Sequence, residues 1–121
     1  MYRIAIVEDF PAIRELYKHA LEPIRAEIHE YPSGSIAVES IARFQPDLLI
    51  LDHRLPDMSG YSVLERVPEI QQIPVIVISG YLDPQQIPHY QSLGVSTILT
   101  KPIDLSVLLE WVSSLLGTPI H

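Results

Sequence analysis

Three short, almost uninterrupted runs of aliphatic residues constrain the fold of this chain more than any other feature. They lie at residues 4–7, 48–51 and 74–78. Each run is far too short to span a membrane, and its uniformly apolar character is typical of a parallel strand that is buried on both faces. A sheet that is buried on both faces needs helices on both sides, so these runs predict an α/β sandwich.

Segments with helical periodicity alternate with these runs. Residues 24–29 and 96–100 mix apolar and polar positions, so we expect them to form strands near the sheet edges. Helices are predicted at residues 12–21, 35–44, 61–67, 84–93 and 104–116. Five strands and five helices, joined by right-handed crossovers, predict an open doubly wound sheet with its ligand groups at the carboxyl ends of the strands.

Composition limits the classes of protein to consider. A chain of 121 residues with 47% hydrophobic residues is expected to form one domain over residues 1–121. It has no cysteine, which excludes disulfides and thiolate metal sites. Its net charge of −7 argues against direct binding of nucleic acid. The N-terminus resembles neither a signal peptide nor an anchor, so we expect a soluble cytoplasmic protein that does not contact membranes.

Polar residues that could take part in binding or catalysis follow the predicted strands. Glu8 and Asp9 come directly after the first run, Asp52 ends the second, Ser79 ends the third, and Lys101 follows the fifth strand. Carboxylates that meet at one sheet edge repel each other, at a cost of roughly 4 kcal/mol per pair at 4 Å and an effective dielectric of 20. Such a cluster indicates a cation site or an acid-base reaction, and its hard oxygen ligands suit Mg²⁺.

The same residues would meet the needs of phosphoryl transfer. Asp52 would be the nucleophile, and Glu8, Asp9 and Asp52 would hold Mg²⁺. Lys101 and Ser79 would contact the phosphoryl oxygens, where charge has to be neutralised.

Five motifs then give the chain a family resemblance. They are Ile-Val-Glu-Asp at 6–9, Leu-Leu-Ile-Leu-Asp at 48–52, Leu-Pro-Asp-Met-Ser-Gly at 55–60, Pro-Val-Ile-Val-Ile-Ser-Gly at 74–80 and Lys-Pro at 101–102. With these motifs the chain resembles the receiver domain of bacterial two-component response regulators. The resemblance implies a flavodoxin-like (βα)5 fold with sheet order 2-1-3-4-5.

The resemblance also implies a function. Asp52 would accept a phosphoryl group from a sensor histidine kinase or a histidine phosphotransfer protein, with Mg²⁺ required. The backbone carbonyl of Arg54 would be a further metal ligand. The protein would be a signalling switch, not an enzyme, and would assist only its own phosphorylation and dephosphorylation.

Departures from the family pattern concern the output surface. Receivers usually carry Tyr or Phe where this chain has Ile98, so an aromatic switch at that position cannot operate. Pro88 predicts that the fourth helix is short, kinked or displaced. Gly80, which stands where Ala is common, leaves freedom in the loop to Tyr81. A homodimer mate or downstream effector would bind through the fourth helix, fifth strand and fifth helix.

Two positions of the last helix have two interpretations. Val107 and Trp111 lie one turn apart, away from the main apolar stripe. They either pack beneath the fourth helix or its loop, or form a docking patch within the output face. His53 follows Asp52 and should point to the opposite side of the strand, so we interpret it as a structural, partly buried histidine.

Two other functions have to be weighed against the phosphoacceptor switch. A receiver-like interaction module that signals without phosphate would explain Ile98 and Pro88. A nucleotide- or flavin-binding domain, or an aspartyl-phosphate hydrolase, is disfavoured because the segment after Asp9 contains no glycine-rich phosphate loop and no cap domain is present.

Overall fold

The computed structural model describes residues 1–81 and 83–119. Five parallel strands form one sheet in the order β2-β1-β3-β4-β5, which confirms the predicted fold class and strand order. The strands are β1 (Arg3–Val7), β2 (Glu27–Tyr31), β3 (Leu48–Asp52), β4 (Val75–Ser79) and β5 (Thr97–Thr100). The helices are α1 (Pro11–Ala20), α2 (Gly34–Phe44), α3 (Gly60–Arg66), α4 (Ile87–Ser92) and α5 (Leu105–Leu116), with short 3₁₀ helices at Glu22–Ile24 and Pro68–Gln72.

Two apolar clusters cover the two faces of the sheet. Alternate side chains of β3 enter different clusters: Leu49 and Leu51 join the cluster beneath α2, α3 and α4, whereas Leu48 and Ile50 join the cluster beneath α1 and α5. Every residue of β3 and β4 is buried. The aliphatic runs are thus apolar at consecutive positions because both faces of these central strands lie in a core.

Side-chain caps fix the start of three helices. Ser33 accepts a hydrogen bond from the backbone N–H of Ile36, and Ser59 accepts one from Ser62. Asp104 accepts hydrogen bonds from the backbone amides at the start of α5. Each cap satisfies N–H groups that have no partner within the helix. Of the helices in the described ranges, none has both the length and the apolar character that a bilayer span demands.

Two elements begin later than predicted. The second strand begins at Glu27 instead of residue 24, because Glu22–Ile24 forms a 3₁₀ turn that ends in a left-handed Arg25 with φ of 57°. The fourth helix begins at Ile87 instead of residue 84, after a turn in which the Asp83 carbonyl accepts a hydrogen bond from the Gln86 N–H.

The short α4 confirms the effect expected of Pro88. The helix has only six residues, and Pro88 lies in its first turn. Proline is tolerated there because the N–H that it lacks would have no partner within the helix. The consequence is a shortened helix rather than a kinked one.

Gly60 permits a close approach of the main chain at the start of α3. A Cβ atom at this position would lie 2.8 Å from the Asp52 carbonyl oxygen and 2.9 Å from the Tyr90 hydroxyl oxygen. Both distances are shorter than ordinary contacts, so a side chain here would push α3 away from β3 or displace Tyr90.

We therefore predict that Gly60→Ala lowers the free energy of unfolding by about 1–3 kcal/mol through overpacking. Gly80→Ala is the matched control, because a Cβ at position 80 would meet nothing within 4 Å. Urea denaturation of both variants measures the difference. Equal stabilities for the two variants would contradict the packing that the structure shows around Gly60.

Candidate functional site

The carboxyl ends of four strands bring the predicted site residues together. Glu8 and Asp9 follow β1, Asp52 ends β3, Ser79 ends β4, and Lys101 follows β5. Glu8, Asp9 and Asp52 each offer a carboxylate oxygen, and these oxygens lie within 4.8 Å of one another. The three acids therefore form one cluster, as the sequence predicted.

Lys101 is the cation of this cluster. Its Nζ lies 3.2 Å from Oε1 of Glu8 and 3.3 Å from Oδ2 of Asp52, and both carboxylates are buried. Burial alone would lower the pKa of the Lys101 ammonium, but the charges of Asp52 and Glu8 outweigh burial and raise this pKa. Lys101 therefore remains protonated and bridges two neighbouring strand ends.

One ammonium does not balance three carboxylates. Burial, reinforced by the neighbouring acids, raises the pKa of Glu8 and of Asp9. Among the described residues, Asp9 also has a buried Oδ1 atom without a hydrogen-bond partner. An orphaned carboxylate oxygen beside two further acids fits a hard divalent cation that takes oxygen ligands.

The role of Arg54 as a carbonyl ligand stays a prediction. Its backbone N–H lies 3.4 Å from Oδ1 of Asp52, and the residue lines the cleft beside the acids. These contacts place the main chain of Arg54 next to the cluster.

Ser79 is buried at the edge of the same cleft. Its hydroxyl donates a hydrogen bond to the Tyr81 carbonyl at 2.7 Å, whereas the Tyr81 side chain is 72% exposed. The cleft has a volume of about 560 Å³ and is also lined by Phe10, which is 58% exposed. The sequence interpretation missed Phe10, because an aromatic residue after an acidic pair gives no sign that it will line a cleft.

Ile98 and Trp111, two of the predicted output residues, pack against different faces of the sheet. Ile98 is partly buried against the cluster beneath α2, α3 and α4. Trp111 packs, partly buried, against the cluster beneath α1 and α5, which lies on the opposite face of the sheet from α4. Val107 is 36% exposed. Trp111 therefore does not pack beneath the fourth helix itself, which was one of its two interpretations, and the docking patch stays a prediction.

His53 is buried, which confirms the burial expected of it. Burial and the nearby Arg54 guanidinium lower its pKa. Its ring is hydrogen-bonded to the Tyr90 hydroxyl at 2.5 Å. No sequence pattern predicts this pair, because 37 residues separate its members and only the tertiary fold brings them together.

Comparison with known proteins identifies the family. The sequence model of the family described as the response regulator receiver domain matches residues 4–113, so the chain belongs to this family. The regulatory protein LuxO of Vibrio cholerae is 34% identical over 82% of this chain. Sporulation initiation phosphotransferase F of Bacillus subtilis is 29% identical over 94% of this chain and 93% of its own length. A CheY-like receiver domain protein from Methanospirillum hungatei has a TM-score of 0.89 at 25% identity, over 97% of this chain and 94% of its own.

The chain is thus a two-component response regulator receiver domain. It spans only 22% of the length of the LuxO relative. The similarity therefore covers only a part of that longer protein.

The excess of negative charge in the acidic cluster predicts how Asp9→Asn changes stability in the absence of divalent cations. We expect this variant to be more stable than the natural chain at pH 7 by about 1 kcal/mol, because it removes one of three like charges at a partly exposed site. Urea denaturation in EDTA measures this difference. With excess Mg²⁺ the order should reverse, since the natural chain binds the cation more tightly.

The pH dependence supplies a second readout of the same effect. A carboxyl group with a raised pKa in the folded state holds its proton when the unfolded chain has already lost it. The contribution of Glu8 and Asp9 to stability in EDTA should therefore fall as the pH rises above about 4, through their raised pKa values, and Asp9→Asn should weaken this fall relative to the natural chain. Glu110→Gln, on the exposed surface of α5, is the control. If Asp9→Asn were less stable than the control in EDTA, the repulsion would be absent.

Proposed function

We propose that Asp52 accepts a phosphoryl group from a phosphohistidine of a sensor kinase or phosphotransfer protein, and that this reaction depends on Mg²⁺. One observation carries the proposal: Asp52 lines an open cleft together with Asp9, Ser79 and Lys101, and its Oδ2 lies 3.3 Å from the Lys101 ammonium. The name of the Bacillus subtilis relative, a phosphotransferase, supports the same chemistry.

The residues of the cleft have distinct tasks in this reaction. A carboxylate oxygen of Asp52 forms a bond to phosphorus while the phosphorus–nitrogen bond of the donor breaks, and the electron pair of that bond returns to the imidazole nitrogen. Lys101 neutralises charge on the transferred group. Ser79 has to release the Tyr81 carbonyl before its hydroxyl can donate to a phosphoryl oxygen, so phosphorylation also frees the loop of Tyr81.

Glu8, Asp9 and Asp52 would hold Mg²⁺, with the Arg54 carbonyl as a further ligand. Bound Mg²⁺ would supply positive charge that neutralises the phosphoryl oxygens and the acidic cluster. Glu8 has a further task without the metal, because its Oε2 accepts a hydrogen bond from the Asp9 backbone N–H at 2.8 Å and so orders the start of the loop after β1.

Phosphorylation of Asp52 would take place within one domain, and a partner would then read it. We place residues 1–121 in one receiver domain that works in the cytoplasm and has no catalytic activity beyond its own phosphorylation and dephosphorylation. A homodimer mate or downstream effector would read the phosphorylated state at α4, β5 and α5. The assembled acids and Lys101 do not favour the alternative of a module that signals without phosphate, because such a module has no need of them.

Intact mass spectrometry after incubation with acetyl phosphate and Mg²⁺ tests the proposal. We expect the natural chain to gain one phosphoryl group, because acetyl phosphate is a small phosphoryl donor that needs no partner protein. Asp52→Asn should gain none, since an amide cannot act as the nucleophile.

Two controls accompany this experiment. EDTA should abolish the adduct, whereas Asp47→Asn, which changes an exposed aspartate at the opposite end of β3, should leave it intact. An adduct that persists in Asp52→Asn, or none on the natural chain, would refute the proposal.

A further inference from the structure

One buried side chain anchors α4 in the core. Of the six residues of α4, all of which the structure describes, only Tyr90 is buried, and its exposed fraction is 0%. Its ring joins the cluster beneath α2, α3 and α4 and makes edge contacts with His53 and Tyr61. At the surface of α4, His89 contacts the Tyr61 ring and lies 3.5 Å from a carboxylate oxygen of Glu65. Tyr90 is therefore the buried anchor of α4, and His89 supports it from the surface.

The Tyr90 hydroxyl reaches the end of the strand that carries Asp52. It is hydrogen-bonded to Nδ1 of His53, the residue directly after Asp52, at 2.5 Å. Gly60 makes room for this contact, because a Cβ there would collide with both the Tyr90 hydroxyl and the Asp52 carbonyl. A polar bond between two buried side chains is costly to leave half-made, so the two residues are expected to move together.

The main chain of His53 is held on both sides. Its N–H donates to the Ile78 carbonyl at 2.9 Å, and its carbonyl accepts from the Gly60 N–H at 2.7 Å. Because His53 shares a peptide bond with Asp52, a shift of that peptide moves His53 against these two restraints. The sheet alternation sends the Asp52 side chain to the cleft and the His53 side chain to Tyr90, so one short backbone segment faces both the site and α4.

Position 98 offers no comparable polar connection. Ile98 packs against the same cluster as Tyr90, but an aliphatic side chain has no hydroxyl with which to bond a loop or a strand. The hydrogen bond of His53 and Tyr90 is thus a direct side-chain connection between the Asp52 strand and the output face.

We propose that the hydrogen bond between His53 and Tyr90 couples the state of Asp52 to the position of α4. This proposal rests on the phosphoacceptor function proposed above. Tyr90 is then a positioning residue: it touches no reacting atom, but it transmits a shift of the Asp52–His53 backbone to the short helix. A partner that binds α4 would read this shift.

Nuclear magnetic resonance with beryllofluoride and Mg²⁺, a stable mimic of the phosphorylated aspartate, tests the proposal. In the natural chain we expect the amide signals of Ile87 and of residues 89–92 to change when beryllofluoride is added. Tyr90→Phe removes only the hydroxyl, and it should reduce these changes at least about fivefold. The variant should still be phosphorylated on Asp52 by acetyl phosphate, since its cleft is unchanged.

Tyr61→Phe is the matched control. It removes a hydroxyl from a ring that contacts Tyr90, yet it leaves the bond to His53 in place, so the α4 response should match that of the natural chain. A second measurement needs no variant: the ring ¹⁵N signals of His53 in the natural chain should also change on addition of beryllofluoride.

The outcomes separate the coupling from the phosphoacceptor function. A full α4 response in Tyr90→Phe, or a His53 ring that does not respond in the natural chain, would overturn the coupling alone. A Tyr90→Phe protein that is unfolded before beryllofluoride is added would also overturn it, because the hydroxyl would then serve stability. If the natural chain neither gains a phosphoryl group nor responds to beryllofluoride, the phosphoacceptor function itself fails, and the coupling fails with it.

Discussion

The contact of Lys101 with Glu8 and Asp52 is the interaction on which the site depends. It joins the end of β5 to the ends of β1 and β3, and it sets one positive charge against a cluster of three acids. One ammonium leaves the three carboxylates with an excess of negative charge. Burial, together with the repulsion between these acids, therefore raises the pKa values of Glu8 and Asp9. A cation that enters the cleft would relieve this repulsion, and an incoming phosphoryl group would bring negative charge that needs the same cation and the same ammonium.

The parallel core holds this strained arrangement in place. β3 and β4 are buried along their whole length, so the strand ends that carry Asp52 and Ser79 have little freedom to separate. The adaptable parts lie just beyond the strands: the Ser79 hydroxyl bonds the loop carbonyl of Tyr81, and His53 bonds Tyr90 of α4. A rigid site flanked by two such hydrogen bonds can turn a local change of charge into a movement of the neighbouring loop and helix.

Much of the fold could be predicted because its strongest signals are local. Uniform aliphatic runs identify central strands, and acids placed directly after them have to meet at one edge of a parallel sheet. The sequence therefore predicts that Glu8, Asp9 and Asp52 cluster, as the structure shows. The start of β2 was missed because the left-handed Arg25 has no clear sequence signal. Phe10, Tyr90 and the side on which Trp111 packs depend on contacts between distant segments, which periodicity does not encode.

The central claim is that this cluster directs phosphoryl transfer to Asp52 and to neither of its acidic neighbours. Hydroxylamine converts an aspartyl phosphate to a stable hydroxamate, so treatment of the phosphorylated protein followed by peptide fragmentation locates the modified residue. The geometry predicts a hydroxamate at Asp52 alone, because Asp52 contacts Lys101 and lines the open cleft, whereas Glu8 is almost completely buried. A hydroxamate at Glu8 or Asp9 would contradict the assignment of the acceptor and the division of roles among the three acids.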